Sequence, residues 1–140
     1  MAEQTAPTIE EVIAVAEFRS ALRHFLRRSE RIARKSGLTP QRYTLLMMIK
    51  GAPGGDEQST VTELAERLQL AQSTVTELVR RAESAGLVER EQSQRDARVA
   101  HLRLTAEGER RLMLSFTALE VERAQLRDAF ANLDGGVTGH

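Results

Sequence analysis

The chain has 140 residues, of which 41% are hydrophobic and 29% charged, which is ordinary for one globular domain and excludes a fibrous or disordered chain. It contains no cysteine, which excludes disulfides, thiolate catalysis and cysteine-ligated zinc. Its 20 basic and 20 acidic residues give a formal net charge of zero, so the overall charge gives no sign of nucleic-acid binding.

The first predicted element is a long helix from about Ile9 to Lys35. Thr8 and Glu11 have the spacing of a capping box, and Gly37 predicts the helix end. The first turns are apolar nearly all round, which indicates packing neighbours on several sides. The later turns are amphipathic, and their polar face carries arginines at spacings of three and four residues: Arg19, Arg23, Arg27, Arg31 and Arg34.

The middle of the chain predicts three shorter helices. Thr39-Pro40 provides an N-cap and a first turn for a helix that runs to about Lys50. After a glycine-rich loop, residues 59–61 are predicted as a short extended piece. Two short helices follow, Thr62 to Leu68 and about Gln72 to Ala85, and a tight turn joins them. Such a pair is the helix-turn-helix unit.

A β-hairpin and a closing helix complete the predicted elements. Two strands, Leu87–Glu91 and Val99–Leu104, flank a largely polar and charged tip, and a hairpin after a helix-turn-helix makes it winged. Thr105 is the predicted cap of one long final helix, which we expect to end at residues 134–136. Its apolar positions alternate by four and three residues, as in a heptad pattern: Leu112, Phe116, Leu119, Leu126, Phe130 and Leu133.

The second short helix is the candidate for contact with DNA. Its inward face comprises Val75, Leu78, Val79 and Ala82, and its outward face comprises Ser73, Thr76, Glu77 and Arg80. Small hydroxyl side chains fit a major groove, and arginine can bond the O6 and N7 atoms of guanine. Glu77 repels phosphate, so we expect it to reduce non-specific binding. The alternative is an ordinary solvated helix face.

The hairpin tip supplies a second candidate contact. Arg95, Asp96 and Arg98 place two arginines on a projecting loop, with a carboxylate that can orient one of them. Arginine suits the narrow, electronegative minor groove of A/T-rich DNA. The alternative is a common turn with a surface ion pair, which contributes only about 0–1 kcal/mol.

Residues 38–108 together resemble the MarR family of winged-helix repressors. The similar segments, in family order and spacing, are Leu38-Thr39-Pro40-Gln41, Val61 to Leu68, Ser73-Thr74-Val75-Thr76, Gly86-Leu87-Val88, Asp96 to Arg98 and Arg103 to Gly108. The resemblance implies a mostly α fold with a small β-wing, and a homodimer formed by the first and last helices. We therefore expect dimerisation regions at 1–37 and 106–140 around a DNA-binding lobe at 38–105.

The resemblance also implies DNA as the partner, a pseudo-palindromic operator, and repression that a small, often aromatic, effector relieves. Arg98, positioned by Asp96, is then the minor-groove contact. Three departures from the family pattern, Ala71, Glu77 and Ala97, predict weaker or more selective DNA contact. The full predicted set of DNA-binding residues is Thr39, Gln41, Gln72, Ser73, Thr74, Thr76, Glu77, Arg80, Arg95, Asp96 and Arg98.

A candidate effector site combines cations of the first helix with apolar residues of the second. Arg23, His24 and Arg27 suit a carboxylate or phenolate, and Tyr43 and Met47 are the candidate apolar wall. The alternatives are a solvated charged face or phosphate contact for the arginines, and an ordinary core position for the apolar residues.

Other function classes have little support in the sequence. No catalytic triad, phosphate-binding glycine loop or metal-ligand motif is present, so we expect neither an enzyme nor a bound metal or cofactor. No apolar stretch is long enough for a membrane span and the acidic N-terminus is not a secretory signal, so we expect a cytoplasmic protein. The serious rival is a winged helix that binds protein rather than DNA, which the neutral charge and Glu77 favour.

Overall fold

A computed structural model describes residues 5–92, 95–96 and 98–138, with side chains described as far as residue 133. Within these residues the fold is mostly helical with one small sheet, which confirms the predicted fold class. The elements are α1 (Ile9–Lys35), α2 (Pro40–Lys50), α3 (Val61–Leu68), α4 (Gln72–Ser84), β1 (Val88–Gln92), β2 (Ala100–Leu104), α5 (Ala106–Ala118) and α6 (Glu120–Thr138). No described helix is both long and apolar enough to cross a membrane.

The chain forms two compact units. The terminal unit contains residues up to Ile32 and residues from Ala118 onward, and the winged-helix unit contains Ala33–Thr117. The core of the winged-helix unit draws on α2, α3, α4 and the sheet. Its fully buried side chains include Leu45, Leu46, Ile49, Leu64, Val75, Val79, Leu87 and Leu102. Burying a side chain of this size stabilises the fold by about 1.5–3 kcal/mol.

Local caps set the helix starts in this unit. Thr39 Oγ1 accepts a hydrogen bond of 3.2 Å from Arg42 N, as predicted for the N-cap of α2. The next helix, α3, begins at Val61, one residue before the predicted start. Thr60 is its N-cap and forms a capping box with Glu63. The extended piece predicted at 59–61 therefore ends at Thr60, because Val61 belongs to the helix.

The wing is an antiparallel pair in which Val88 lies opposite Leu104 and Gln92 lies opposite Ala100. Both strands begin one residue later than predicted. Ser59 extends this sheet on its other side through two backbone hydrogen bonds with Leu102, of 3.1 and 2.7 Å. This contact joins the segment before α3 to the wing. Ser93, Gln94 and Ala97, which belong to the predicted tip, lie outside the described residues.

The single closing helix predicted from the heptad pattern is wrong, because two helices, α5 and α6, meet at Leu119. The pattern continues across the break, but its two halves belong to different units. Leu112 is buried in the winged-helix unit, whereas Phe130 meets Phe18 of the terminal unit with ring centroids 5.9 Å apart. The predicted end at residues 134–136 is also wrong, because α6 continues to Thr138. A helical glycine costs only about 1 kcal/mol relative to alanine.

A close backbone contact holds α5 against the start of β1. Thr105 N donates a 3.0 Å hydrogen bond to Leu87 O, and Thr105 Oγ1 caps α5 by accepting one of 3.0 Å from Gly108 N. A Cβ atom on Gly108 would lie only 2.1 Å from Leu87 O. The position therefore requires glycine.

Ion pairs link the first turn of α5 to its surroundings. Hydrogen bonds from Arg110 and Arg111 lower the pKa of Glu107 from 4.5 to about 2. Arg111 also donates to Gly37 O at 3.2 Å, which connects α5 with the segment after α1. On the same helix, Glu109 accepts a hydrogen bond from Lys50 Nζ, which also donates one of 2.7 Å to Glu57. These two hydrogen bonds raise the pKa of Lys50.

Candidate nucleic-acid interface

The helix α4 has the two faces that the sequence predicts. Val75, Val79 and Ala82 are fully buried and attach the helix to the core of the winged-helix unit. Leu78 is only half-buried. The opposite face presents the short hydroxyl side chains of Ser73 and Thr76 to solvent, together with exposed Gln72, Thr74 and Arg80. These are side chains whose size and hydrogen-bonding groups suit the major groove.

The N-terminus of α4 has no side-chain cap. Ala71 occupies the N-cap position and makes no side-chain hydrogen bond to the first turn, as its identity predicts. The N–H groups of a first helical turn have no partner within the helix, and they attract anions. Exposed Gln72, Ser73 and Thr74 surround these groups. A phosphate oxygen is therefore a suitable partner for this helix end.

Glu77 on α4 pairs with two arginines of the same helix. Its carboxylate accepts hydrogen bonds from Arg80 Nη2 and, at 3.1 Å, from Arg81 Nε. Arg81 was not among the predicted site residues, although its spacing of four from Glu77 is a sequence signal for this pair. Glu77 therefore lowers the positive charge of both arginines on the exposed face of α4.

The start of α2 contributes two further predicted residues, its N-cap Thr39 and Gln41 in its first turn. Thr39 is exposed, but its hydroxyl already accepts a hydrogen bond as the N-cap of α2. Gln41 is exposed in the first turn of that helix. The side-chain amide of Gln41 is therefore more available to a partner than the hydroxyl of Thr39.

The wing holds Arg98 in an oriented, exposed position. The Asp96 carboxylate accepts hydrogen bonds from Arg98 N at 3.0 Å and from Arg98 Nε at 3.2 Å, which brings together the pair that the sequence predicts. The side chain of Arg98 is 91% exposed. Arg95 is exposed on the same tip. An arginine held at its base and exposed at its end fits a narrow groove.

Another ion pair, which sequence reasoning missed, connects the wing with α4. Arg90 Nε of β1 lies 3.1 and 3.0 Å from the two carboxylate oxygens of Glu83. The residues are seven apart and belong to different elements, so no helical or strand spacing could indicate the pair. It links β1 with the helix that carries Ser73, Thr76 and Arg80.

The predicted effector residues divide between the two units. Arg23, His24 and Arg27 line a cavity of about 720 Å³ in the terminal unit. Tyr43 and Met47 are not among its lining residues. Tyr43 is buried on α2 in the core of the winged-helix unit, and Met47 is half-buried on the same helix. The cations therefore share a cavity, whereas Tyr43 occupies a core position.

Comparisons with known proteins confirm the predicted resemblance. The model of the MarR family matches residues 36–99, which include α2, α3, α4 and β1. No curated protein sequence matches the chain.

Solved structures share the fold over most of the chain. Wild-type MarR from Escherichia coli has a TM-score of 0.68 at 18% identity and covers 97% of each chain. A MarR mutant from the same organism, solved with operator DNA, has a TM-score of 0.68 at 19% identity and covers 95% of this chain and 97% of its own. Sco3205 from Streptomyces coelicolor, a MarR family regulator solved with DNA, has a TM-score of 0.65 at 24% identity, with coverage of 90% and 78%.

Proposed function

We propose that this chain, in which residues 36–99 match the model of the MarR family, is a sequence-specific double-stranded DNA-binding transcriptional regulator. The observation that carries this proposal is the pairing of two surfaces in one unit. The exposed polar face of α4 is anchored by Val75 and Val79, and the wing exposes Arg98 while Asp96 orients it. Similar proteins solved with DNA support the same conclusion.

In this mechanism α4 enters the major groove. Arg80 bonds a guanine edge, Ser73 and Thr76 contact bases or phosphates, and the uncapped first turn binds a phosphate oxygen. Arg98 enters the adjacent minor groove, where a narrow A/T-rich segment concentrates negative potential. The Arg90–Glu83 ion pair links the strand that leads to the wing tip with the helix that carries the major-groove contacts.

A homodimer is part of the proposal, and exposed apolar side chains of the terminal unit support it. Ile9 is 63% exposed and Phe130 is 60% exposed, and Val12, Ile13 and Val121 are also exposed large hydrophobic residues. Large apolar residues concentrated in one unit indicate a surface that another chain covers. A second copy makes the assembly two-fold, which fits an inverted-repeat operator with half-sites about 10 bp apart.

The regulatory role that we propose is repression that a small anionic effector relieves. The cations around the cavity of the terminal unit, among them Arg23 and Arg27, support an anionic ligand. Tyr43 is buried in the core, so a role for it in effector binding requires that the core open.

The decisive experiment is selection of duplexes from a random DNA library by the purified protein at physiological salt. We expect enrichment of an A/T-rich inverted repeat. The Arg98→Ala variant should bind that site at least about tenfold more weakly, which is roughly 1.4 kcal/mol. Glu89→Gln, on the exposed edge of β1, is a control for a charge change on the same hairpin. If Arg98→Ala keeps full affinity, the wing has no part in the mechanism.

A protein-binding winged helix is the second candidate, and the Glu77 ion pairs favour it because they reduce the positive charge of α4. Salt separates the two functions. DNA affinity falls steeply as salt rises, because each neutralised phosphate releases counterions. Absence of any enriched duplex, with no salt-dependent DNA binding, would support the protein-binding function instead.

A further inference from the structure

The cavity of the terminal unit has a wall with excess positive charge. Its volume of about 720 Å³ lies within the range of small-molecule sites. The charged residues that line it are Arg23, Arg27, Arg28, Arg31 and Glu122. The Glu122 carboxylate accepts a hydrogen bond of 3.1 Å from Arg28 Nε, so the one acidic group among the described lining residues neutralises one of the four arginines.

The other three arginines have no counter-ion in the part of the chain that the structure describes. Arg23, Arg27 and Arg31 form no ion pair or side-chain hydrogen bond there. Each is four residues from the next, so they follow one another along the same face of α1 at intervals of about 6 Å. Like charges at this spacing repel. An anion in the cavity would remove this repulsion.

The remaining lining residues indicate an organic ligand. Phe25, Leu126 and Ala21 contribute half-buried apolar surface, and Gln125 contributes an amide. The ring of His24 is oriented, because its Nδ1 donates a hydrogen bond of 2.9 Å to Ser20 O. A ligand that satisfies this cavity needs an apolar or aromatic part for Phe25 and Leu126 in addition to its anionic groups.

We propose that this cavity binds an organic phosphate that carries at least two phosphoryl groups. Arg23, Arg27 and Arg31 occupy about 12 Å of helix axis, and their three guanidinium groups exceed what the two oxygens of a single carboxylate can pair in bidentate geometry. A guanidinium matches phosphate oxygens in a bidentate geometry, and each additional phosphoryl group supplies a partner for another arginine. The binding site is independent of the proposed DNA contact, whereas its use as an effector site rests on the proposed function.

Calorimetric titration of the DNA-free protein with ADP in magnesium-free buffer tests the proposal. We expect saturable binding of one ADP per cavity, weaker binding of AMP, and no comparable binding of benzoate. Arg27→Gln and Arg31→Gln should each weaken ADP binding about tenfold, equivalent to roughly 1.4 kcal/mol. Glu122→Gln should strengthen it, because this change frees Arg28 and removes the negative charge from the wall.

Arg19→Gln is the matched control, since Arg19 lies one turn before Arg23 on the same helix but is not a lining residue of the cavity. It should leave ADP binding unchanged. Circular dichroism checks that each variant is folded. Three results would overturn the proposal: no ADP binding below millimolar concentration, benzoate binding as tight as ADP binding, or equal losses for Arg19→Gln and Arg27→Gln.

A separate measurement distinguishes a soluble ligand from the DNA backbone as the source of the phosphates. If Arg27→Gln and Arg31→Gln weaken DNA binding while the wild type does not bind ADP, the arginines contact DNA and the proposal fails. ADP binding in the absence of DNA does not depend on whether the chain is a regulator. Addition of ADP to the protein–DNA complex then tests regulation alone.

Discussion

Replacement of Glu77 by glutamine should strengthen non-specific DNA binding by this chain. The Glu77 carboxylate accepts hydrogen bonds from Arg80 and Arg81, whose side chains are 69% and 66% exposed. Either arginine must leave this carboxylate before it can bind a phosphate or a base with its full charge. Glutamine keeps the size and the helical propensity of the side chain but removes the negative charge.

The expected magnitude follows from the exposure of the two ion pairs. An exposed pair of this kind contributes about 0.2–1 kcal/mol. Release of both arginines therefore favours DNA binding by about 0.4–2 kcal/mol, or roughly two- to thirtyfold. If both arginines then neutralise phosphates, the slope of log affinity against log salt becomes steeper by up to about 1.8. The folding stability should fall by no more than the same range, about 0.4–2 kcal/mol, because the folded chain loses the same two pairs.

Fluorescence anisotropy with a random-sequence duplex, measured over a series of salt concentrations, provides the DNA affinity and its dependence on salt. Glu30→Gln is the matched control, because it makes the same charge change on exposed α1 in the terminal unit. Binding to a selected operator should change less than binding to the random duplex, so the specificity ratio should fall. Unchanged affinity and salt slope in Glu77→Gln, or an equal change in Glu30→Gln, would refute the reasoning.

Three further predictions concern stability and assembly. Gly108→Ala should lower the free energy of unfolding, measured in urea, by about 2 kcal/mol or more, because the added Cβ would collide with Leu87 O. The Gly54→Ala control should change this free energy by less than about 0.5 kcal/mol. Glu107→Gln should lower the thermal midpoint of unfolding at neutral pH. Because the pKa of Glu107 is about 2, the difference in midpoint from wild type should shrink as pH falls from 4.5 towards 2. A difference that does not depend on pH would contradict the ion-pair account. Sedimentation should give a dimer of about 31 kDa from chains of 15.6 kDa. Ile13→Glu should dissociate the dimer, whereas Leu70→Glu, on the winged-helix unit, should not. A monomeric wild type would exclude the proposed dimer.

Local signals in the sequence were sufficient for the first two helices and for the two faces of α4. The predicted bounds of α1, Ile9–Lys35, agree with the structure, because a cap at Thr8 and a glycine at position 37 act within one turn of the helix ends. The 3.6-residue period places Val75 and Val79 inside and leaves Thr76 outside. The roles of these exposed residues in DNA binding stay predictions.

The elements of the winged helix and the outward face of α4 could thus be predicted from the sequence, because caps, turns and periodicity are properties of neighbouring residues. The division of the heptad pattern at Leu119 depends on tertiary packing, because its two halves belong to different units. The tertiary structure also decided that Arg90 binds Glu83 and that Arg23, Arg27 and Arg31 share a cavity with Glu122. These relations join side chains whose proximity depends on how separate elements pack, which no local spacing specifies.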